Sequence, residues 1–303
     1  MFSLRVAVVG PKEKKEDILP AFEKAFRKAI YAPFDEVMIY VGDGIKTTYK
    51  KHNLADFDYV LILPDSPRKE IYYTIARALE RKTIVSIKSE TLMHFWNQPL
   101  ILQKLASAGL PIRKTFAVAQ DVACNTIVEK FKFPVIVNAP KGKRVLINNE
   151  ETLKGVLSLF GPGHMMVMQK PIKATATTVV FVAGRDVIAY ENVKGKRKSI
   201  HVDEALKKKA VKVAKVLRTD FCSVIFINTG KTSVISKVLL YPNFKIFNQV
   251  GGQDPAVKMV SAIGESIQER ELTVEDVVGK ITNGFAAVAR WLSHEISNFG
   301  PSK

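Results

Sequence analysis

Residues 233–244 read SVISKVLLYPNF, an apolar strand-like run that closes on Tyr-Pro-Asn-Phe. They follow a second such run, SVIFIN (223–228), across the four-residue turn TGKT. Two runs rich in β-branched and aromatic residues, with a short Gly-containing turn between them, predict paired strands. Strands that end in a Pro-centred loop often deliver carboxylates and an amide to a metal–nucleotide site. Here the polar slots hold Lys237 and Leu239, so the remainder of the chain has to show whether the scaffold for such a site is present.

Working outward, FPVIVNA (133–139), VMQKPI (167–172) and TTVVFVAGRDVIAYENV (177–193) predict further strands, the last a hairpin turning at Gly184-Arg185-Asp186. Helices are predicted near 150–159 and 203–217. This larger unit reads as α+β with antiparallel content. Ahead of it, LRVAVVG (4–10), EVMIYVGDG (36–44), DYVLILPD (58–65) and TIVSIK (83–88) read as strands. The third of these is continuously apolar, as a parallel strand covered on both faces should be. A helix is predicted through 11–30, with Ile18, Leu19, Phe22, Phe26 and Ile30 on one face, and another over KEIYYTIARALE (69–80). Strand and helix alternate, so residues 1–95 form an α/β unit. Residues 273–296 carry an apolar stripe at helical spacing, which either docks the helix on its own domain or, through Phe285, Val288, Trp291 and Leu292, forms a homodimer face.

The 303 residues suffice for two domains. No apolar stretch approaches the roughly 20 residues that cross a bilayer, so no membrane partner is expected, and two Cys in apolar surroundings imply free thiols in a reducing cytoplasm. The informative quantity is charge: 46 Lys and Arg against 29 Asp and Glu leave +17. A field of that sign attracts polyanions. The cations are clustered, with Lys50 and Lys51 in KTTYKKH, Lys141, Lys143 and Arg144 in PKGKR, Lys194, Lys196, Arg197 and Lys198 in KGKRKSIH, and Lys207, Lys208 and Lys212 on the helix at 206–218. The five His residues lie in separate segments, and no metal constellation is read from them.

The order of these pieces resembles the ATP-grasp superfamily, most closely ligases of the RimK type. AGLPIRKT (108–115), FPVIVN, VMQKPI, TTVVFVAGRDVIAY and SVISKVLLYPNF are each similar to a motif of that family and occur in its order. The resemblance implies an α/β (α+β) fold, with a Rossmann-like pre-ATP-grasp domain over 1–95, a two-subdomain ATP-grasp-like domain over 96–272, and an added C-terminal helix over 273–303.

Carried over position by position, the family's two phosphate lysines fall on Gln98 and Asn138, and its Gly-rich loop is reduced to APKGK. The adenine-side glutamate falls on Lys170, although Gln169 is kept. The aspartate and arginine of its Asp-x-Arg motif fall on Thr177 and Val179. The metal-binding aspartate falls on Ile225 or Phe226, the glutamate on Lys237 and the asparagine on Leu239, while Pro242 remains. Magnesium takes hard oxygen ligands, which lysine and hydrocarbon side chains do not offer.

The expectation drawn from this is a protein without catalytic residues, metal or cofactor, in which the lysine clusters bind structured RNA. A ribosomal subunit is the expected partner, with subunit dimerisation or silencing as the role. The alternatives are an ATP-dependent carboxylate–amine ligase of the RimK type, or a regulatory pseudo-subunit of one.

Overall fold

Val6, Ala7, Val8 and Val9 follow one another without a polar side chain, and a strand of that kind needs cover on both faces. The computed structural model describes residues 1–65, 68–119, 127–138, 144–159, 165–230 and 232–268, and it supplies that cover. Strand β1 (Phe2–Gly10) lies inside a parallel sheet in the order β2-β1-β6-β7, with β2 at Phe26–Pro33, β6 at Tyr59–Ile62 and β7 at Ile84–Val85. Val6 and Val8 pack with Ile18 and Phe22 of helix α1 (Lys15–Ala25). Ala7 and Val9 pack with Tyr72, Ile75 and Leu79 of α2 (Lys69–Leu79) on the other face.

One sequence expectation fails in this first unit. The predicted helix through residue 30 stops at Ala25, and Phe26–Pro33 instead pairs in parallel with β1. Phe22 and Phe26 have helical spacing, but Phe26 stacks on both Phe2 and Phe22 at ring centroids 5.6 and 5.4 Å apart. The ladder to β1 outweighs the local period, as tertiary pairing commonly does. The stretch at 36–44 is the expected strand, placed outside the parallel sheet. It forms β3 (Val37–Gly42), which pairs antiparallel with β4 (Gly44–Tyr49), and β5 (His52–Asn53) completes a separate three-stranded sheet. Met38 and Val41 on this hairpin are 64% and 75% exposed.

After α3 (Ser89–Phe95) and α4 (Gln98–Ser107), two antiparallel sheets follow. The first has the order β10-β9-β11-β8, built from β8 (Thr115–Ala119), β9 (Val135–Asn138), β10 (Arg144–Ile147) and β11 (Met165–Gln169). Its core includes Val135, Val137, Ile147 and Met166, under Leu153 and Leu157 of α5 (Glu150–Leu157).

The second sheet has the order β14-β13-β12-β15-β16. Its strands are β12 (Ala176–Ala183), β13 (Asp186–Val193), β14 (Lys196–Ile200), β15 (Phe221–Asn228) and β16 (Ser233–Leu239). One face is covered by α6 (Glu204–Leu217) and α4. The other joins the core of the N-terminal sheet, together with α7 (Phe244–Gln249) and a helical stretch over 255–268. The β12–β13 hairpin turns at Gly184, where φ is +60° and a side chain would be strained. The segment 194–201, read as a basic loop, is largely strand β14, because it pairs with β13 from Ala189↔Ile200 to Val193↔Lys196. No helix among the described residues is long and apolar enough to cross a membrane. The helix expected at 273–296, with Phe285, Val288, Trp291 and Leu292, lies outside the described residues.

Candidate functional site

Strands β12, β15 and β16 are in a register that puts three positions in one row: Val179 opposite Ile225, and Ile225 opposite Lys237. Directly opposed residues of an antiparallel pair project to the same face. That face is the one shared with the N-terminal sheet, since Val179 and Ile225 pack into its core. Phe226 pairs with Ile235 and belongs to the core beneath α6. Of the two positions that the sequence left open for the metal-binding aspartate, the structure therefore selects Ile225. A register shift at Ile225/Phe226 leaves Ser236 as the extra residue of a β-bulge, a device that re-aims neighbouring side chains. The next row along is Phe181, Ser223 and Leu239.

The four-stranded sheet supplies the facing wall. The Asn138 side-chain amide donates to Gln98 Oε1 at 3.4 Å, joining the end of β9 to the first turn of α4. Asn97 caps that helix, its side chain accepting from the Leu100 N–H. Arg144 stands opposite Asn138 at the start of β10, so its side chain leaves the same face. Residues 111–113 dock on β16: the Ile235 N–H donates to the Pro111 carbonyl at 2.7 Å, and the Arg113 N–H donates to the Ile235 carbonyl at 3.2 Å. Arg113 is 3% exposed. Its guanidinium donates to the Lys170 carbonyl at 2.7 Å and to Gln169 Oε1 at 3.5 Å, and Gln169 Nε2 donates onward to Thr115.

Between the end of β16, helices α3 and α4, and the N-terminal sheet lies a cleft of about 460 Å³, whose lining includes Lys14, Asp65, Lys69, Gln98, Lys237 and Asn243. Asp65 is the single acidic side chain on its wall and is paired with Arg68 at 2.8 Å. Arg113, Arg144 and Lys237 form no ion pair among the described residues. Desolvation, and secondarily the nearby Arg144, hold both the Lys237 ammonium and the Arg113 guanidinium below their usual ranges. The Lys237 side chain is exposed but stands in the recess of the cleft, so protein replaces part of its water without closing it off. Gln98 Nε2 is buried without a hydrogen-bond partner, a donor in want of an acceptor. The arrangement is a cationic, amide-lined recess suited to an anion.

Magnesium does not fit it. Lys237 carries no lone pair when protonated, and Ile225 and Leu239 carry none in any state. No group of three or more His, Cys, Asp or Glu among the described residues could hold a metal ion.

Against solved structures, the chain is similar to a RimK domain ATP-grasp protein from Sphaerobacter thermophilus, with 17% identity, a TM-score of 0.68, and coverage of 85% of this chain and 98% of that one. It is likewise similar to the ATP-grasp ligase PsnB complexed with the precursor peptide PsnA2 and AMPPNP, with 13% identity, a TM-score of 0.67, and coverage of 87% and 97%. The fold is the ATP-grasp fold. Among curated proteins, a probable alpha-L-glutamate ligase of Mannheimia succiniciproducens is 23% identical over 188 residues, which take in 55% of this chain and 63% of that relative's length. No protein-family model matches the chain.

These relatives overturn the expectation of a non-catalytic RNA-binding or ribosome-associated pseudoenzyme, because those similar in sequence or fold include a probable alpha-L-glutamate ligase and an ATP-grasp ligase. The placement of the basic residues gives the physical side of that correction. Lys194, Lys196, Arg197 and Lys198 sit at or beside β14, the edge of the ATP-grasp sheet farthest from Lys237 on β16. Four strand spacings of about 4.8 Å separate the two edges. Lys207, Lys208 and Lys212 are on α6, across the sheet from the Val179–Ile225–Lys237 row. Lys50 and Lys51 flank the β4–β5 turn of the small N-terminal sheet. The clusters thus do not converge on one surface, and of the described members only Arg144 stands near the cleft-lining Lys237. Lys141 and Lys143 lie outside the described residues.

Three cationic contributors, Arg113, Lys14 and Lys69, were not singled out in the sequence. Arg113 sits inside the LPIRKT turn that was read only for its family pattern. Lys14 belongs to GPKEKK, a Gly-led loop after β1 that ordinary turn chemistry explains equally well.

Proposed function

We propose that this chain acts as an ATP-dependent carboxylate–amine ligase of the RimK type, with the triphosphate of the nucleotide lying in the cationic cleft. In that reaction a substrate carboxylate oxygen attacks the γ-phosphorus, the bond to the bridging oxygen breaks, and ADP leaves. The amine nitrogen then attacks the acyl carbon, phosphate departs, and the nitrogen gives up a proton. The residues of this chain contribute binding and charge neutralisation: Lys237 and Arg144 face the phosphates, and the Gln98 and Asn138 amides donate to their oxygens. Arg113 keeps the adenine-side wall in place through Gln169 and Lys170.

What supports the reading above all is that the positions assigned by family resemblance converge in space. Gln98 meets Asn138 at 3.4 Å, and Val179, Ile225 and Lys237 share one row. A carboxylate substrate suits the lysines that line the same recess, Lys14 and Lys69. The name of the curated relative makes glutamate the first amine to try. The test is ADP release from ATP in the presence of glutamate and peptides ending in a free carboxylate. Release that depends on both acceptor and carboxylate is expected, and no release with any pairing sinks the proposal.

A further inference from the structure

We infer that the cleft holds a polyphosphate chain directly on cationic side chains, with no divalent ion between protein and phosphate. The inference takes its location from the ligase reading above but stands on separate chemistry. In the ATP-grasp resemblance the row across β12, β15 and β16 should carry an arginine at 179 and oxygen donors for magnesium at 225 and 237. Here it carries Val179, Ile225 and Lys237, and the neighbouring row offers Leu239 and the buried Ser223 hydroxyl.

An ammonium at the row repels a divalent ion and attracts the phosphate that the ion would have bridged. Three observations extend the argument beyond that one lysine. Arg144 leaves the same face as Asn138, which is bonded to the cleft-lining Gln98. Arg113, almost wholly buried, has carbonyl and amide oxygens as hydrogen-bond partners and no ion pair among the described residues. A buried cation without a counter-charge is costly unless an anion arrives. Finally, the buried Gln98 Nε2 has no acceptor among the described residues. Lys14 and Lys69 add charge on the N-terminal side, facing an Asp65 whose Oδ2 is engaged by Arg68 and whose buried Oδ1 has no hydrogen-bond partner among the described residues. The shared ligand chemistry is a run of phosphates, which a nucleoside triphosphate or inorganic polyphosphate would supply.

The distinguishing experiment is calorimetric titration of the full chain with ATP and, separately, inorganic tripolyphosphate, each in EDTA and in excess magnesium. Both ligands are expected to bind in EDTA, and magnesium, by cancelling ligand charge, is expected to weaken them severalfold. Lys237→Gln and Lys237→Glu, checked for an unchanged melting profile, should lose about 10- to 100-fold in EDTA, the range for one charge-assisted contact. ATP binding that appears only with magnesium overturns this inference and leaves the ligase reading intact. Tripolyphosphate binding in EDTA without ATP binding upholds the inference and sinks the ligase reading. Failure of both ligands in both buffers overturns both, and unchanged affinity in the folded Lys237 variants overturns the inference alone.

Discussion

The Tyr59 hydroxyl donates to an Asp220 carboxylate oxygen at 2.7 Å, across 161 residues of sequence. This bond ties β6 of the parallel sheet to the turn that launches β15, and so sets how the N-terminal unit sits against the cleft. Tyr59 is fully buried. Tyr59→Phe keeps the ring and removes only the donor, leaving a partly buried carboxylate short of a partner. The expected cost is about 1.5–3 kcal/mol, as for hydrogen bonds to charged groups, seen as a lower urea midpoint with an unchanged slope. A midpoint equal to that of the unmodified chain would show that this bond does not hold the two units together.

Phe181 lies at the junction of the same units, fully buried, with Phe221 and Phe247 rings at 6.5 and 6.3 Å. Truncation to Ala removes a large side chain from a core shared by both halves. The expected loss is about 3–5 kcal/mol, measured by denaturant titration. A loss below about 1 kcal/mol would mean that the surroundings collapse into the space.

Cys222 is buried on β15, and burial pushes its thiol up to about 12. The thiolate is the reactive form, so the native protein should leave Cys222 unmodified by a thiol reagent at neutral pH and expose it on denaturation. Peptide mass spectrometry separates it from Cys124. Rapid labelling of Cys222 in the native state would contradict the packing of this sheet.

Lys237 is a base with a depressed folded-state pKa, and the sign of its effect follows. Between that value and the usual lysine value near ~10.4, the unfolded chain holds a proton that the folded chain lacks, so its contribution to stability rises with pH across that window. Anion binding runs the other way, because it needs the ammonium. Phosphate affinity should fall as pH climbs through the depressed value, and Lys237→Arg, charged throughout, should keep affinity at the alkaline end. An identical pH profile for the two proteins would remove Lys237 from the site.

Gly184 turns the β12–β13 hairpin at φ +60°, and a Cβ there would approach Ala262 Cβ at 3.2 Å. Gly184→Ala is expected to cost about 1–2 kcal/mol from the left-handed backbone alone, read from a thermal melt. An unchanged melt would show that the turn re-forms in another geometry.

Much of the architecture was legible because local pattern and global packing agree. The AGRD turn between two apolar runs became a hairpin, DYVLIL became a strand buried on both faces, and the helix over 69–80 appeared within one residue of its expected end. The part that went wrong has one cause. Phe26 and Ile30 fit a helical period, yet they pair with β1. Nothing local distinguishes those outcomes.

The sequence by itself determined which side chains occupy the positions of the ATP-grasp motifs: Lys237, Ile225, Leu239, Gln98 and Asn138 are chemical identities that no folding changes. It also set the excess of positive charge. Only the tertiary structure decided which of those charges meet. Strand order sent the β14 lysines to the far edge of the sheet and α6 to its opposite face, while the pairing of Arg144 with Asn138 and the docking of 111–113 on β16 placed Arg144 near both Lys237 and Arg113. The reason is physical: charge counts add along a chain, but fields depend on distance, and distance is set by register.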